Sequence, residues 1–202
     1  MIVEIRSQNP DRRAILEVVN LLNNGGLIIL PTDTIYAAAC KINNIKALES
    51  FAKKLGKKSN QTNFSILCHC FSQLSEYTKP ISNPIFKLMK QVLPGPFTFI
   101  LKASHKLPHS FRETKKTIGI RVPNNLIVME ILKELGEPLL VTSIHNNDLI
   151  IEYHTDPYEI ETIFGQMVAM VIDGGMGGNI ASTVIDCTDN TPQISRQGKG
   201  II

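Results

Sequence analysis

Gly25-Gly26-Leu27-Ile28-Ile29-Leu30-Pro31-Thr32-Asp33-Thr34-Ile35-Tyr36-Ala37-Ala38-Ala39-Cys40 is the stretch from which the fold is read. Leu27 to Leu30 form an apolar run between a Gly pair and a Pro, which predicts a short buried strand. Pro31 fixes its own φ and keeps Leu30 extended. Thr32, Asp33 and Thr34 then gather two hydroxyls and a carboxylate at a strand end, where open α/β sheets bind ligands. Two readings stand open: a pocket, or a turn in which Asp33 bonds nearby amides. Ala37, Ala38 and Ala39 either admit a close backbone or ligand, or simply permit tight packing.

Upstream, Met1 to Ile5 reads as an edge strand. Asn9-Pro10-Asp11 supplies an N-cap, a Pro at the first helical position and an acid in the first turn. Ala14, Ile15, Val18, Val19 and Leu22 recur at helical spacing until Asn24-Gly25. Downstream, Ile45, Leu48, Ala52 and Leu55 line a second helix that gives way to a polar segment, 56–63. Phe64 to Cys68 predicts a strand and Phe71 to Tyr77 a short helix. Asn83-Pro84 caps another helix through Ile85, Phe86, Leu88, Met89 and Val92.

Leu93-Pro94-Gly95-Pro96 makes a rigid corner before the strand Phe97 to Lys102. In Thr117-Ile118-Gly119-Ile120-Arg121-Val122-Pro123, Arg121 points to the face opposite Ile120 and Val122. It either meets solvent there or forms an oxyanion clamp. Asn124 caps a helix through Ile127, Ile131, Leu132 and Leu135. Pro138 to Val141 is a strand ending in Thr142-Ser143-Ile144-His145. Asp156-Pro157-Tyr158-Glu159 has the form of a capping box. Val168 to Ile172 is a strand that enters Asp173-Gly174-Gly175-Met176-Gly177-Gly178, followed by Ser182-Thr183-Val184-Ile185-Asp186. Glycines at that density imply positive φ or a backbone near a ligand. Their spacing matches neither a P-loop nor a dinucleotide-binding turn.

Strands and helices intermix without repeats or linkers, so the expectation is one α/β domain with a twisted mixed parallel and antiparallel sheet over residues 1–202. The length of 202 residues suffices for a core without staples, and 43% hydrophobic with 19% charged residues excludes a disordered chain. Cys40, Cys68 and Cys187 fall in or beside apolar runs and read as buried thiols. Cys68-His69-Cys70 lacks the second ligand pair of a zinc site, so no structural metal is expected. No signal peptide or membrane-spanning run is evident, and a reducing cytosol is the expected setting. A net charge of +3 decides little. Its basic residues cluster at Lys53, Lys54, Lys57 and Lys58, at Arg112, Lys115 and Lys116, and at Arg196 and Lys199, which would attract phosphates if they met around a cleft.

Taken together, Pro31-Thr32-Asp33-Thr34-Ile35-Tyr36, Pro94-Gly95-Pro96-Phe97-Thr98, Gly119-Ile120-Arg121-Val122-Pro123, Thr142-Ser143, Asp173-Gly174-Gly175 and Ser182-Thr183-Val184-Ile185-Asp186 resemble the YrdC/YciO family in order and spacing. The likeness covers essentially the entire chain. Asn63-Phe64-Ser65, Thr117 to Pro123 and Asp186 to Pro192 look most like the YciO branch. The resemblance implies a YrdC-like sheet with a large concave basic surface. It also implies relation to synthases that join threonine, bicarbonate and ATP into threonylcarbamoyl-adenylate for tRNA modification. ATP with Mg²⁺ is the implied substrate, beside threonine or a threonylcarbamoyl compound. Binding of tRNA or double-stranded RNA is the alternative partner.

By the same resemblance, Thr32, Thr34, Tyr36 and Arg121 take the substrate side. Lys54, Lys57, Ser143, His145, Ser182 and Arg196 take the nucleotide and phosphate side. No covalent catalytic residue is expected, because a carbamate oxygen attacks the α-phosphorus and the protein orients and neutralises. No Ser-His-Asp arrangement is apparent. Two positions depart from the synthase pattern. The synthases carry Lys-x-Arg where this chain has Lys54-Leu55-Gly56, with Lys57 a partial substitute. They carry Ser-x-Asn where it has Ser143-Ile144-His145, with Asn146 one place off. Impaired or altered synthase activity is therefore the expectation.

Overall fold

The computed structural model describes residues 1–56, 64–109, 111, 116–145, 152–189 and 191–202. The strands are β1 (Ile2–Glu4), β2 (Ile28–Leu30), β3 (Ala37–Lys41), β4 (Ser65–Leu67), β5 (Phe97–Lys102), β6 (Thr117–Arg121), β7 (Leu139–Ser143), β8 (Met170–Asp173), β9 (Thr183–Asp186) and β10 (Gln193–Arg196). They form one sheet in the order β1-β8-β2-β3-β7-β4-β6-β5-β9-β10. β1 and β2 run parallel to β8, β4 to β6 and β5 to β9. The remaining neighbours are antiparallel. The mixed sheet read from the sequence is present, with β1 at its edge. β10 was not legible: Gln193-Ile194-Ser195-Arg196 is exposed throughout and alternates weakly, so only pairing with β9 makes it a strand.

The helices are α1 (Arg12–Asn23), α2 (Ile45–Lys54), α3 (Phe71–Glu76), α4 (Asn83–Val92), α5 (Leu126–Leu135) and α6 (Pro157–Phe164). Three helix starts are corrected. Asp11, not Asn9, caps α1, accepting from Ala14 N at 3.0 Å, so Pro10 lies before the helix. Asn125, not Asn124, caps α5 through Val128 N at 3.2 Å. Ser82 occupies the cap of α4 and Asn83 is its first helical residue. A cap must be the extended residue just before the first helical turn, and composition alone does not choose among adjacent polar residues. Asp156 caps α6 as expected, at 2.9 Å from Tyr158 N. The Glu159 carboxylate lies 3.6 Å from Nδ1 of buried His154.

The two sheet faces are dressed unequally. One face packs Ile66, Phe97, Phe99, Ile118, Ile120, Leu140 and Val171 under apolar residues of α2, α3, α4 and α6. On the other, α1 presents Ile15, Val18, Val19 and Leu22, and α5 presents Ile127, Val128, Ile131 and Leu132. These cover Ile28, Leu30, Ala37, Ala39, Leu67, Leu139, Val141, Met170 and Ile172. The cluster stops at β4. Beyond it the outward positions of β6, β5, β9 and β10 belong to a cleft.

The glycine segment after β8 is built for close approach to the protein's own chain. A Cβ on Gly178 would lie 2.2 Å from the Thr34 carbonyl oxygen, so this backbone seals the turn 32–36 rather than framing a ligand. Within 173–178 only Gly175 takes a positive φ. Cys40, Cys68 and Cys187 are buried and Cys70 is exposed. Among the described residues, no three His, Cys, Asp or Glu side chains converge as metal ligands, and no helix is long and apolar enough to cross a membrane.

Candidate functional site

The cleft has a volume of about 400 Å³ and lies on the half of the sheet that α1 and α5 leave bare. Its floor follows strand alternation. Thr98 and Ile100 of β5, Thr117, Gly119 and Arg121 of β6, and Ser65 of β4 face outward between residues that pack into the opposite core. Gly119 pairs with Ser65 on one side and Ile100 on the other. A Cβ there would meet Ser65 Oγ at 2.5 Å and Thr98 Cγ2 at 3.2 Å, so glycine keeps the floor deep. The site thus occupies a concave sheet face as well as the strand ends at which the sequence placed its polar residues.

The turn after β2 supplies one wall, and it is turn and pocket at once. Thr32 Oγ1 accepts from Thr34 N at 3.1 Å and Ile35 N at 3.2 Å, and donates to Ile35 O at 2.7 Å. Thr32 therefore does the amide bonding that was assigned to Asp33. Asp33 reaches Arg121, accepting from Nη2 at 2.5 Å, while Arg121 Nη1 donates to Thr34 Oγ1 at 2.8 Å. The Arg121 and Asp33 side chains are only 8% and 11% exposed. Arg121 is thus a buried cation with an internal partner. Burial lowers its pKa, Asp33 acts the other way, and the nearby Arg196 charge lowers it further. Arg121 Nε and Asp33 Oδ2 are buried without hydrogen-bond partners among the described residues.

The opposite wall comes from β9 and β10. Arg196 donates through Nη2 to Ser182 O at 2.8 Å, which fixes the guanidinium at the rim. Ser182 and Thr98 hydroxyls pair at 2.8 Å. Lys199 Nζ donates to the Asp33 carbonyl at 2.7 Å, tying the C-terminal segment to the first wall. The third wall is Ser143 at the end of β7 with His145 beyond it. Ser143 Oγ lies 3.1 Å from His145 Nε2. Residues 145 and 153 form a backbone bridge, and the His145 ring lies 4.7 Å from that of Tyr153. Tyr153 packs with Ile35 and Ala181, so this segment crosses from β7 toward β9.

Thr32, Thr34, Arg121, Ser143, His145, Ser182 and Arg196 are therefore brought together. Tyr36 and Lys54 are not. Tyr36 is fully buried, donating to Gly175 O at 2.7 Å and accepting from Gly174 N at 3.2 Å. Burial is the main force that pushes its phenol up to about 12. Lys54 closes α2, exposed, away from the lining residues. Lys57, Lys58, Arg112, Lys115 and Asn146 lie outside the described residues. Ser65, Thr98, Thr117 and Gly119 also line the cleft. Their signal was the period-two alternation of small polar with apolar residues in β4, β5 and β6. No carboxylate occurs among the described lining residues, and Arg121 and Arg196 are its guanidinium groups.

A family model described as "Telomere recombination" (Sua5_yciO_yrdC) matches residues 20–198. YciO of Escherichia coli K12 is 39% identical over 197 residues, spanning 97% of this chain and 94% of that protein. Its crystal structure superposes with a TM-score of 0.91 at 38% identity, covering 100% of this chain and 97% of that one. Threonylcarbamoyl-AMP synthase of Bacillus subtilis is 25% identical over 202 residues, 96% of this chain and 55% of the synthase. Sua5 from P. abyssi, in complex with L-threonine, shares the fold at a TM-score of 0.87 and 23% identity, covering 98% of this chain and 57% of that one. Similarity to YciO thus exceeds similarity to the synthase. The chain belongs to the Sua5/YciO/YrdC family.

Proposed function

We propose that the cleft binds an adenosine nucleotide beside threonine or a threonylcarbamoyl group, and that the chain is a poor or altered threonylcarbamoyl-adenylate synthase. One observation carries the reading: a concave sheet face whose described lining combines two guanidinium groups with the hydroxyls of Thr32, Thr34, Ser65, Thr98, Thr117, Thr142, Ser143 and Ser182, and no carboxylate. Such a surface suits a ligand with phosphates at one end and a small polar acid at the other. The relation to a protein named threonylcarbamoyl-AMP synthase and to a Sua5 bound to L-threonine supports the same ligands.

Arg196, fixed by Ser182, is placed to hold phosphate. Arg121 takes the acid end, with its Nε–H still unpaired among the described residues. The lining offers Mg²⁺ no carboxylate, so any Mg²⁺ enters on the phosphates and no residue here holds it. Turnover is weak in this reading because Gly56 stands where the synthases carry an Arg, and His145 where they carry an Asn. Losing one such contact costs about 2–4 kcal/mol of transition-state stabilisation.

Titration calorimetry with ATP, with and without threonine, tests the pocket. The native protein is expected to bind, and Arg196→Ala and Gly119→Val to lose at least tenfold in affinity. No binding by native protein at millimolar ATP would overturn the assignment. Adenylate formation from threonine, bicarbonate and ATP tests the impairment, and robust turnover would reject it. RNA as a partner rests on basic clusters of which Lys57, Lys58, Arg112 and Lys115 lie outside the described residues, and no observation favours it over the nucleotide.

A further inference from the structure

Two side chains on the nucleotide side of the cleft, Ser143 and His145, also touch each other. Ser143 Oγ is 3.1 Å from His145 Nε2, and His145 Nδ1 is 4.0 Å from Glu152 Oε1. A hydroxyl and an imidazole of the cleft lining thus touch, with a carboxylate behind the imidazole and outside the described lining, although no such arrangement is apparent in the sequence. Ser143 and His145 are two positions apart and face the same side of β7 and its extension. Glu152 comes from the segment that the 145–153 bridge holds against β7. The ring of Tyr153 supports the imidazole at 4.7 Å. Desolvation first, and then Glu152, push the Tyr153 phenol up to about 12, so it stays neutral. The Arg196 charge reaches both Tyr153 and Arg121, which places a cation across the cleft from the relay.

We propose that Ser143, His145 and Glu152 form a hydrolytic relay that cleaves an acyl or carbamoyl mixed anhydride of an adenosine phosphate. This rests on the nucleotide reading above and adds the reaction. In the tautomer protonated at Nδ1, His145 Nε2 accepts the Ser143 proton as Oγ attacks the carbonyl carbon. The bond between that carbon and the phosphate oxygen breaks, and the nucleoside monophosphate leaves with the electron pair and with the proton held on Nε2, which frees Nε2 to accept again. Water then attacks the Ser143 ester, giving its proton to Nε2, and Oγ departs by taking that proton back. The products are the free acid and the nucleoside monophosphate. Glu152 is a positioning residue whose charge, 4.0 Å from Nδ1, stabilises the imidazolium as it forms. Ser143 and His145 are the catalytic residues.

A fluorophosphonate probe with peptide mass spectrometry, and AMP release from threonylcarbamoyl-adenylate and from acetyl-adenylate, test the relay. Native protein is expected to label at Ser143 and to release AMP from at least one of the two adenylates. Ser143→Ala and His145→Ala should each lower release about 10²–10⁴-fold. In Glu152→Gln the maximal rate falls, and the ascending limb of the pH profile moves to lower pH because the carboxylate favours charged imidazole. A merely structural Glu152 leaves that limb in place. Labelling elsewhere, or a Ser143→Ala variant as fast as native, overturns the proposal. Calorimetry with ATP separates the two readings: binding without hydrolysis defeats the relay alone, and absence of binding defeats the nucleotide site.

Discussion

One sheet face has two halves that begin with the same alternation and end differently. Under α1 and α5 the outward residues are Ile28, Leu30, Ala37, Ala39, Leu139, Met170 and Ile172, all buried. From β4 to β10 they are Ser65, Gly119, Thr117, Thr98, Ser182 and Arg196, and they line the cleft. Ala37, Leu67 and Val141 belong to both, and mark the border. Backbone pairing is continuous across that border. Hydrophobic area gives a helix something to gain at about 25 cal/mol per Å² buried, while hydroxyls and guanidinium groups lose their water if covered. The bare half is therefore a property of its side chains, and the ligand site is the place where the core stops.

The comparison can be broken hardest at the buried ion pair of Asp33 and Arg121. Asp33→Ala leaves Arg121 buried without a countercharge and should cost roughly 3–5 kcal/mol in urea denaturation. A loss below about 1 kcal/mol would mean that this pair does not hold the bare half together. Leu132→Ala, on the covered half, should cost about 2–5 kcal/mol while ATP affinity in the folded protein stays unchanged. A large change in affinity would show that the halves are not independent.

A smaller effect is expected from Gly56→Arg. Gly56 follows α2 at φ +75 with no described residue within 4 Å of its Cβ position, so the expected cost is backbone strain of about 1–2 kcal/mol. The same variant should raise adenylate formation if the missing guanidinium limits the synthase reaction, and an unchanged rate would remove Gly56 from that account. The smallest effect at neutral pH belongs to Tyr36→Phe, about 1 kcal/mol for the lost hydrogen bonds. The Tyr36 phenol rises from 10.0 to about 12 in the fold, so its stabilisation is complete below pH 10 and lost as pH climbs to 12. Melting temperature should therefore fall less steeply across that window in the variant, and an identical slope would refute the shift.

The sequence by itself determined most of the strands, the helices with some caps misplaced by one or two residues, the mixed sheet and the family, because periodicity and breakers are local quantities. It also showed that Arg121 turns away from Ile120 and Val122, which β6 realises. It left turn and pocket open at Thr32 to Thr34, since one residue type serves both. Tertiary structure decided that point by bringing Arg121, 88 positions away, onto Asp33. It also decided that Tyr36 faces the glycine segment and Lys54 lies off the cleft, that β10 is a strand, and that Glu152 stands beside His145. Each of these depends on which distant strand or segment becomes a neighbour. The local pattern specifies which face a side chain takes, and only the assembled sheet specifies what stands opposite it.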